Sequence, residues 1–179
     1  ATQERMRIEW ERDYDVLTGL YNRQAFQRVS EELFCQPERL KAAAVLMMDM
    51  DNLKHVNDTY GHDWGDRYIQ NAGHCIAENC PPGTLCARLS GDEFMLLFYG
   101  YDSRKQLHEK LEKLAHAMKQ AVVVLPSGSK LHISISCGVA WYPDDGCNME
   151  TLKKYADFAM YQVKHSTKGE MQDFDIGVY

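Results

Sequence analysis

Residues 85–98 read Leu85-Cys86-Ala87-Arg88-Leu89-Ser90-Gly91-Asp92-Glu93-Phe94-Met95-Leu96-Leu97-Phe98. Leu85, Ala87 and Leu89 alternate, as do Phe94, Leu96 and Phe98, and a short glycine-containing turn separates the two runs. Period-two alternation on both sides of a tight turn predicts a β-hairpin. Upstream, Ala42–Met48 is apolar throughout, which suits a central strand covered on both faces, and it stops at Asp49-Met50-Asp51. A polar, glycine-containing segment follows. After it comes a helix carrying Trp64, Tyr68, Ala72, Cys75 and Ile76, broken by Pro81-Pro82-Gly83. Downstream, Leu107, Leu111, Leu114, Met118 and Val122 mark the inner face of a long amphipathic helix. A turn over residues 126–129 leads to a strand in which Leu131, Ile133, Ile135, Cys137 and Val139 alternate. A last helix buries Leu152, Tyr155, Ala156, Ala159 and Val163, and residues 171–179 can add a short edge strand.

The order strand, helix, hairpin, helix, strand is β-α-β-β-α-β. It predicts an α+β fold with a ferredoxin-like, palm-type core: a mainly antiparallel central sheet flanked by helices. An extra helix precedes it, with Ala25, Phe26, Val29 and Leu33 on one face and Pro37 at its end. The connection rules place the end of the first strand, the hairpin turn and the end of the last helix at one end of the sheet. Residues 49–54, 90–93 and 164–168 therefore converge.

Residues 1–14 are charged and helix-permissive, with Met6, Trp10 and Tyr14 at spacing four. So short a helix is marginal alone in water. It reads as a connecting helix entering a domain of residues 15–179, cut from a larger protein. Length and composition bound the rest. A chain of 179 residues fits one domain of ordinary size. A formal net charge of −6, with no basic stripe, argues against a nucleic-acid partner. No apolar run nears the ~20 residues that span a bilayer, so this fragment predicts no direct membrane contact. The six cysteines contain no CxxC pair, which favours reduced thiols in a cytoplasmic domain over a zinc site.

The convergence gathers Asp49, Asp51, Asp92 and Glu93 beside Lys54, Lys164 and Lys168. Crowded carboxylates repel unless a cation lies between them. Oxygen donors suit Mg²⁺ or Mn²⁺, which typically bind through one or two carboxylates and substrate phosphates. Lysines suit phosphate oxygens. The combination reads as metal-assisted phosphoryl or nucleotidyl transfer.

These same residues resemble the GGDEF (diguanylate cyclase) family. Asp15–Arg23, DVLTGLYNR, is similar to that family's DxLTGLxNR, and Asp49–Asp66, DMDNLKHVNDTYGHDWGD, to its DxDxFKxxNDxxGHxxGD. SGDEF at Ser90–Phe94 resembles the motif that names the family. SCGVA at 136–140 and ADFAMYQVK at 156–164 resemble its SxGxA and ADxAMYxAK. The resemblance runs from about residue 13 to residue 168. It implies a diguanylate cyclase that joins two GTP into cyclic di-GMP across a homodimer, each subunit holding one GTP with its Mg²⁺ or Mn²⁺. Asp49, the Met50 carbonyl and Asp92 would hold metal, and Glu93 would help deprotonate the ribose 3′-hydroxyl. Asn57 and Asp66 would read guanine. Lys54, Lys164 and Lys168 would hold the triphosphate, Gly91 would let the hairpin backbone approach it closely, and Ser90 would lie beside the bound substrate. An upstream sensory or regulatory domain is implied as well, and so is a cytoplasmic setting, in which this chain can be the cytoplasmic part of a membrane-attached protein.

The sequence departs from the pattern at several points. Ser90 replaces the first glycine of the motif, which costs about 1–2 kcal/mol if that position needs a left-handed backbone. Leu53 stands for a phenylalanine and Leu89 for an aromatic, and Lys168-Gly169 stands where Gly-Arg is common. Pro81-Pro82-Gly83-Thr84 occupies the place of the family's RxxD product-inhibition site, so no inhibitory product site is expected. Asp51 reads equally as a support for the metal ligands or as a metal neighbour. Arg88 reads as ion-paired, His62 as locally hydrogen-bonded and Asp157 as a structural polar group. Besides the cyclase, two functions stay open: a catalytically weak regulatory module that binds GTP or a protein partner, and another palm-type cyclase or polymerase.

Overall fold

The computed structural model describes residues 2–179. Helix α1 spans Gln3–Glu11, α2 Arg23–Phe34 and α3 Pro37–Leu40, before strand β1, Ala42–Met50. Helices α4, Leu53–Tyr60, and α5, His62–Glu78, lead to β2, Leu85–Ser90, and β3, Glu93–Tyr101. Then come α6, Arg104–Gln120, β4, Val122–Val124, β5, Lys130–His132, and β6, Ile135–Tyr142. Helix α7, Met149–Lys164, β7, Met171–Asp173, and a 3₁₀ turn at Ile176–Val178 complete the chain.

The central sheet has the order β2-β3-β1-β6-β7. The first four strands pair antiparallel, and β7 joins β6 in parallel at the edge. This is the ferredoxin-like palm core that the sequence predicts, with an added edge strand. Alternation along β1 explains why both of its faces are apolar. Ala44, Leu46 and Met48 pack with Phe94, Leu96 and Phe98 against α5 and α6. Ala43, Val45 and Met47 pack with Met95 and Leu97 against α2 and α7. Gly138 on β6 lets α7 lie directly on the sheet, since a Cβ there would collide with the backbone at Ala156 and Met160.

Four local readings need correction. The polar segment after Asp51 is a helix, α4, anchored by buried Val56, with Asn52 in the left-handed region at φ 66° turning the chain out of β1. Two apolar positions, Leu53 and Val56, give too little periodicity to announce it. Val122 belongs to β4, because α6 stops at Gln120 and residue 121 is extended. The strand expected across 131–139 is broken: β5 pairs with β4 in a separate two-stranded sheet, and β6 starts at Ile135. At the break the Ser134 N–H donates to the Tyr68 hydroxyl and the Ser134 carbonyl accepts from Asp51 N–H, so neither serves a sheet ladder. Pro37 opens α3 at its first turn, three residues beyond the end of α2.

The connecting helix expected over residues 1–14 is helical over Gln3–Glu11, with Ala1 outside the described residues. Trp10 stacks on Tyr14, and Tyr14 on Tyr21, with ring centroids 5.2 and 5.4 Å apart, tying the segment to the domain.

Candidate active site

The register of the sheet assembles the site. Asp49 on β1 lies opposite Glu93 on β3 and Ser136 on β6. Asp49 shares its side of β1 with Val45 and Met47, and Glu93 shares its side of β3 with Met95 and Leu97, so both carboxylates face α7. The hairpin turn Gly91-Asp92 is fastened to β1 by a bond from Met50 N–H to the Asp92 carbonyl, 3.0 Å. Helix α7 ends beside them at Lys164. The predicted convergence of the three segments is thus present.

Asp49 is the electrostatic centre. Burial, then the Asp92 carboxylate beside it, pushes its carboxyl up to about 6, against the pull of the Lys164 ammonium. Its Oδ1 is buried and has no hydrogen-bond partner. Lys164 Nζ lies 3.2 Å from that oxygen, outside hydrogen-bonding geometry. An unsatisfied carboxylate oxygen next to a second carboxylate fits a hard divalent cation. Among the described residues no group of three or more His, Cys, Asp or Glu side chains is placed to hold a metal. A cation here would therefore complete its shell from the Met50 carbonyl, water and a ligand's oxygens. The six cysteines are free thiols.

Asp51 has a different role from Asp49. Its residue is 1% exposed. It accepts from Ser134 Oγ at 2.7 Å, Ser136 Oγ at 2.8 Å and Gly169 N–H at 3.1 Å, with Lys164 Nζ 3.3 Å away. Both of its oxygens are committed to the protein, so it braces β1, β6 and the turn after α7 rather than facing a ligand. The Tyr68 hydroxyl adds to the brace by donating to the Asp51 carbonyl, 3.0 Å. Ser134, Gly169 and Tyr68 are the residues that sequence reasoning missed here. Tyr68 looked like helix core, and only the break at Ser134 gives the other two their contacts.

Ser90 lies at the end of β2 and is not among the residues with positive φ; the left-handed position is Gly91, at φ 37°. The serine therefore carries no backbone strain. Its hydroxyl donates to Glu93 Oε1, 3.1 Å. Asp157 on α7 is raised by burial and then by Glu93, which places a third acid near this carboxylate. Arg88 is ion-paired: Nη1 meets Asp15 Oδ1 at 3.0 Å and Nε donates to the Gly91 carbonyl at 2.9 Å. The DVLTGLYNR motif thereby supports the hairpin turn.

Asn57 on α4 is partly buried, and its amide fills the space over Gly65 where any Cβ would stand. Asp66, next in the chain, is exposed. Lys54 and His62 are exposed near the starts of α4 and α5. Lys168 is exposed in the turn after α7, left-handed at φ 54°, and its N–H caps the helix on the Val163 carbonyl at 2.9 Å.

Comparison with known proteins places this geometry. The family described as "Diguanylate cyclase, GGDEF domain" matches residues 12–170. The chain is 35% identical over 162 residues to the cyclic di-GMP phosphodiesterase NbdA of Pseudomonas aeruginosa, covering 90% of this chain and 20% of that protein. It is 33% identical over 152 residues to the diguanylate cyclase DgcN of Escherichia coli, covering 85% of this chain and 37% of that one. The chain thus spans well under half of either relative. The solved GGDEF domain of TpbB (YfiN) from Pseudomonas aeruginosa superposes with a TM-score of 0.82 at 32% identity, covering 92% of this chain and 95% of that one.

Proposed function

The chain belongs to the GGDEF family, and from that premise we propose that it is a diguanylate cyclase, condensing two GTP into cyclic di-GMP and two pyrophosphates across a homodimer. The observation that carries the proposal is the buried Asp49 Oδ1, which accepts no hydrogen bond and faces the Lys164 ammonium, with Asp92 and Glu93 beside it at one end of the sheet. Asp49, Asp92 and the Met50 carbonyl would hold Mg²⁺ or Mn²⁺, which when bound offsets negative charge on the triphosphate and acidifies a nearby hydroxyl.

The chain's own groups do the rest. Glu93, steadied by Ser90, takes the proton of the ribose 3′-hydroxyl. The freed 3′-oxygen attacks the α-phosphorus of the GTP held by the facing subunit. The bond from that phosphorus to the bridging oxygen breaks, and pyrophosphate leaves with the electron pair. The reciprocal attack closes the ring. Lys54, Lys164 and Lys168 hold phosphate oxygens as point charges. Asn57 and the Asp66 carboxylate bind the guanine edge, Asp66 accepting from its amino and ring N–H groups. A site built to satisfy those donors rejects adenine, whose edge leaves the carboxylate unpaired.

The test is incubation of the purified chain with GTP and Mg²⁺, followed by chromatography for cyclic di-GMP, beside Asp92→Ala. Product from the parent that is lost in the variant supports the cyclase. The relative named for phosphodiesterase activity favours a second reading, a GTP-binding regulatory module attached to another activity. GTP binding without product would select it, and equal consumption of ATP would select a palm-type enzyme of other specificity.

A further inference from the structure

Lys164 donates to the Met50 carbonyl at 2.7 Å, and its ammonium lies 3.2 Å from Asp49 Oδ1 and 3.3 Å from Asp51 Oδ1. Two of these three oxygens, Asp49 Oδ1 and the Met50 carbonyl, belong to the set assigned above to a divalent cation. Among the described residues, Lys164 is the one cationic side chain in ion-pair range of Asp49. The same ammonium is assigned to the triphosphate, and one nitrogen cannot satisfy both sets of oxygens.

We propose that Lys164 is a resident cation that competes with the divalent ion for Asp49 and the Met50 carbonyl, and that its transfer to the substrate's phosphates opens the metal position. This rests on the reading of Asp49 and Met50 given above. Three features make the exchange feasible. The lysine head sits on a flexible four-carbon stem. Its side chain is 27% exposed, so it has a way out. Asp51, which it leaves behind, keeps its bonds from Ser134, Ser136 and Gly169. Two positive charges at one carboxylate repel, so metal alone binds against the ammonium. A triphosphate that draws the ammonium away removes the repulsion, and the coupling is reciprocal: nucleotide tightens metal and metal tightens nucleotide.

The experiment titrates Mn²⁺ alone into the whole chain by calorimetry, with and without a non-hydrolysable GTP analogue, for the parent, Lys164→Met and Lys164→Gln. The glutamine retains a donor for the Met50 carbonyl without the charge, and thermal melts check that both variants fold. Loss of the charge should tighten Mn²⁺ alone by about tenfold or more. The analogue should then tighten Mn²⁺ in the parent far more than in either variant. Variants that bind Mn²⁺ no more tightly than the parent would overturn the exchange, and so would Mn²⁺ binding to none of the three. If the analogue fails to bind any chain while the variants still gain Mn²⁺ affinity, the competition at Asp49 stands and the cyclase reading falls.

Discussion

At the residue scale, burial and Asp92 raise the Asp49 carboxyl to about 6, from an ordinary value of 3.8. A raised carboxyl favours folding fully below its unfolded value, and that contribution is lost as pH rises through about 6. Metal-free protein near neutral pH therefore carries an unfavourable charge, worth on the order of 1–3 kcal/mol. Asp49→Asn should raise the melting temperature of the metal-free chain by a few degrees at about pH 7.5 while abolishing cyclase activity. The gain should vanish near pH 4, where the parent's carboxyl is itself neutral. Calorimetric melts at both pH values check this, and an equal gain at both would contradict it. Ser90 shows what residue reasoning could not reach. A residue type does not specify φ, so a strained backbone and an unstrained one were both open. The fold puts the left-handed turn one residue later and points the hydroxyl at Glu93.

At the scale of elements, two glycines carry the argument. Gly65 is buried, and a Cβ there would overlap the Asn57 side chain. Gly65→Ala should displace Asn57 and raise the KM for GTP by roughly tenfold or more, the loss of one well-made polar contact in the site. The far-ultraviolet spectrum should be unchanged, because alanine suits a helix better than glycine. Steady-state kinetics decide it, and an unchanged KM would remove Asn57 from the site. Gly138 holds α7 against β6, where a Cβ would meet the backbone of residues 156 and 160. A backbone cannot yield as a side chain does, so Gly138→Ala should cost about 3 kcal/mol or more. Urea denaturation would show it, with the melt of Gly65→Ala as the contrast. Helix α4 and the break before β6 were illegible in the sequence for a related reason. The break is fixed by partners distant in the chain, Ser134 meeting Tyr68 and Asp51, and α4 by a left-handed backbone at Asn52 that residue type alone does not announce.

At the scale of the whole molecule, the proposed mechanism gives one subunit one nucleotide and half of a symmetric reaction. Specific activity should therefore rise with enzyme concentration, approaching second order in protein when dilute. Initial rates over a wide dilution series test this, and strict proportionality to protein would contradict a dimeric mechanism that assembles during the assay. Feedback is expected to be absent. Residues 81–84 form a tight turn, closed on the Pro81 carbonyl by Thr84 N–H and Oγ1 at 3.2 and 2.8 Å. None of the four side chains is charged, so nothing there pairs with the phosphates of cyclic di-GMP. Added product should leave the initial rate unchanged, and tight product binding measured by calorimetry would refute this.

Alternation, apolar runs and chain-order rules were enough to determine the α+β core and the convergence of Asp49, Asp92, Glu93 and Lys164. Strand pairing is local in its logic: period-two burial and short connections leave few topologies. The motifs identified the family because their residues stand in order along the chain. What only the tertiary structure decided is how the acids divide their work. Asp49 lies near the end of β1 and Asp51 one residue beyond it, and by sequence either could face a ligand. Ser134, Ser136 and Gly169 saturate Asp51, while Asp49 Oδ1 accepts no hydrogen bond and has only the Lys164 ammonium beside it. That division depends on hydrogen bonds between groups more than 80 residues apart, which no local pattern encodes.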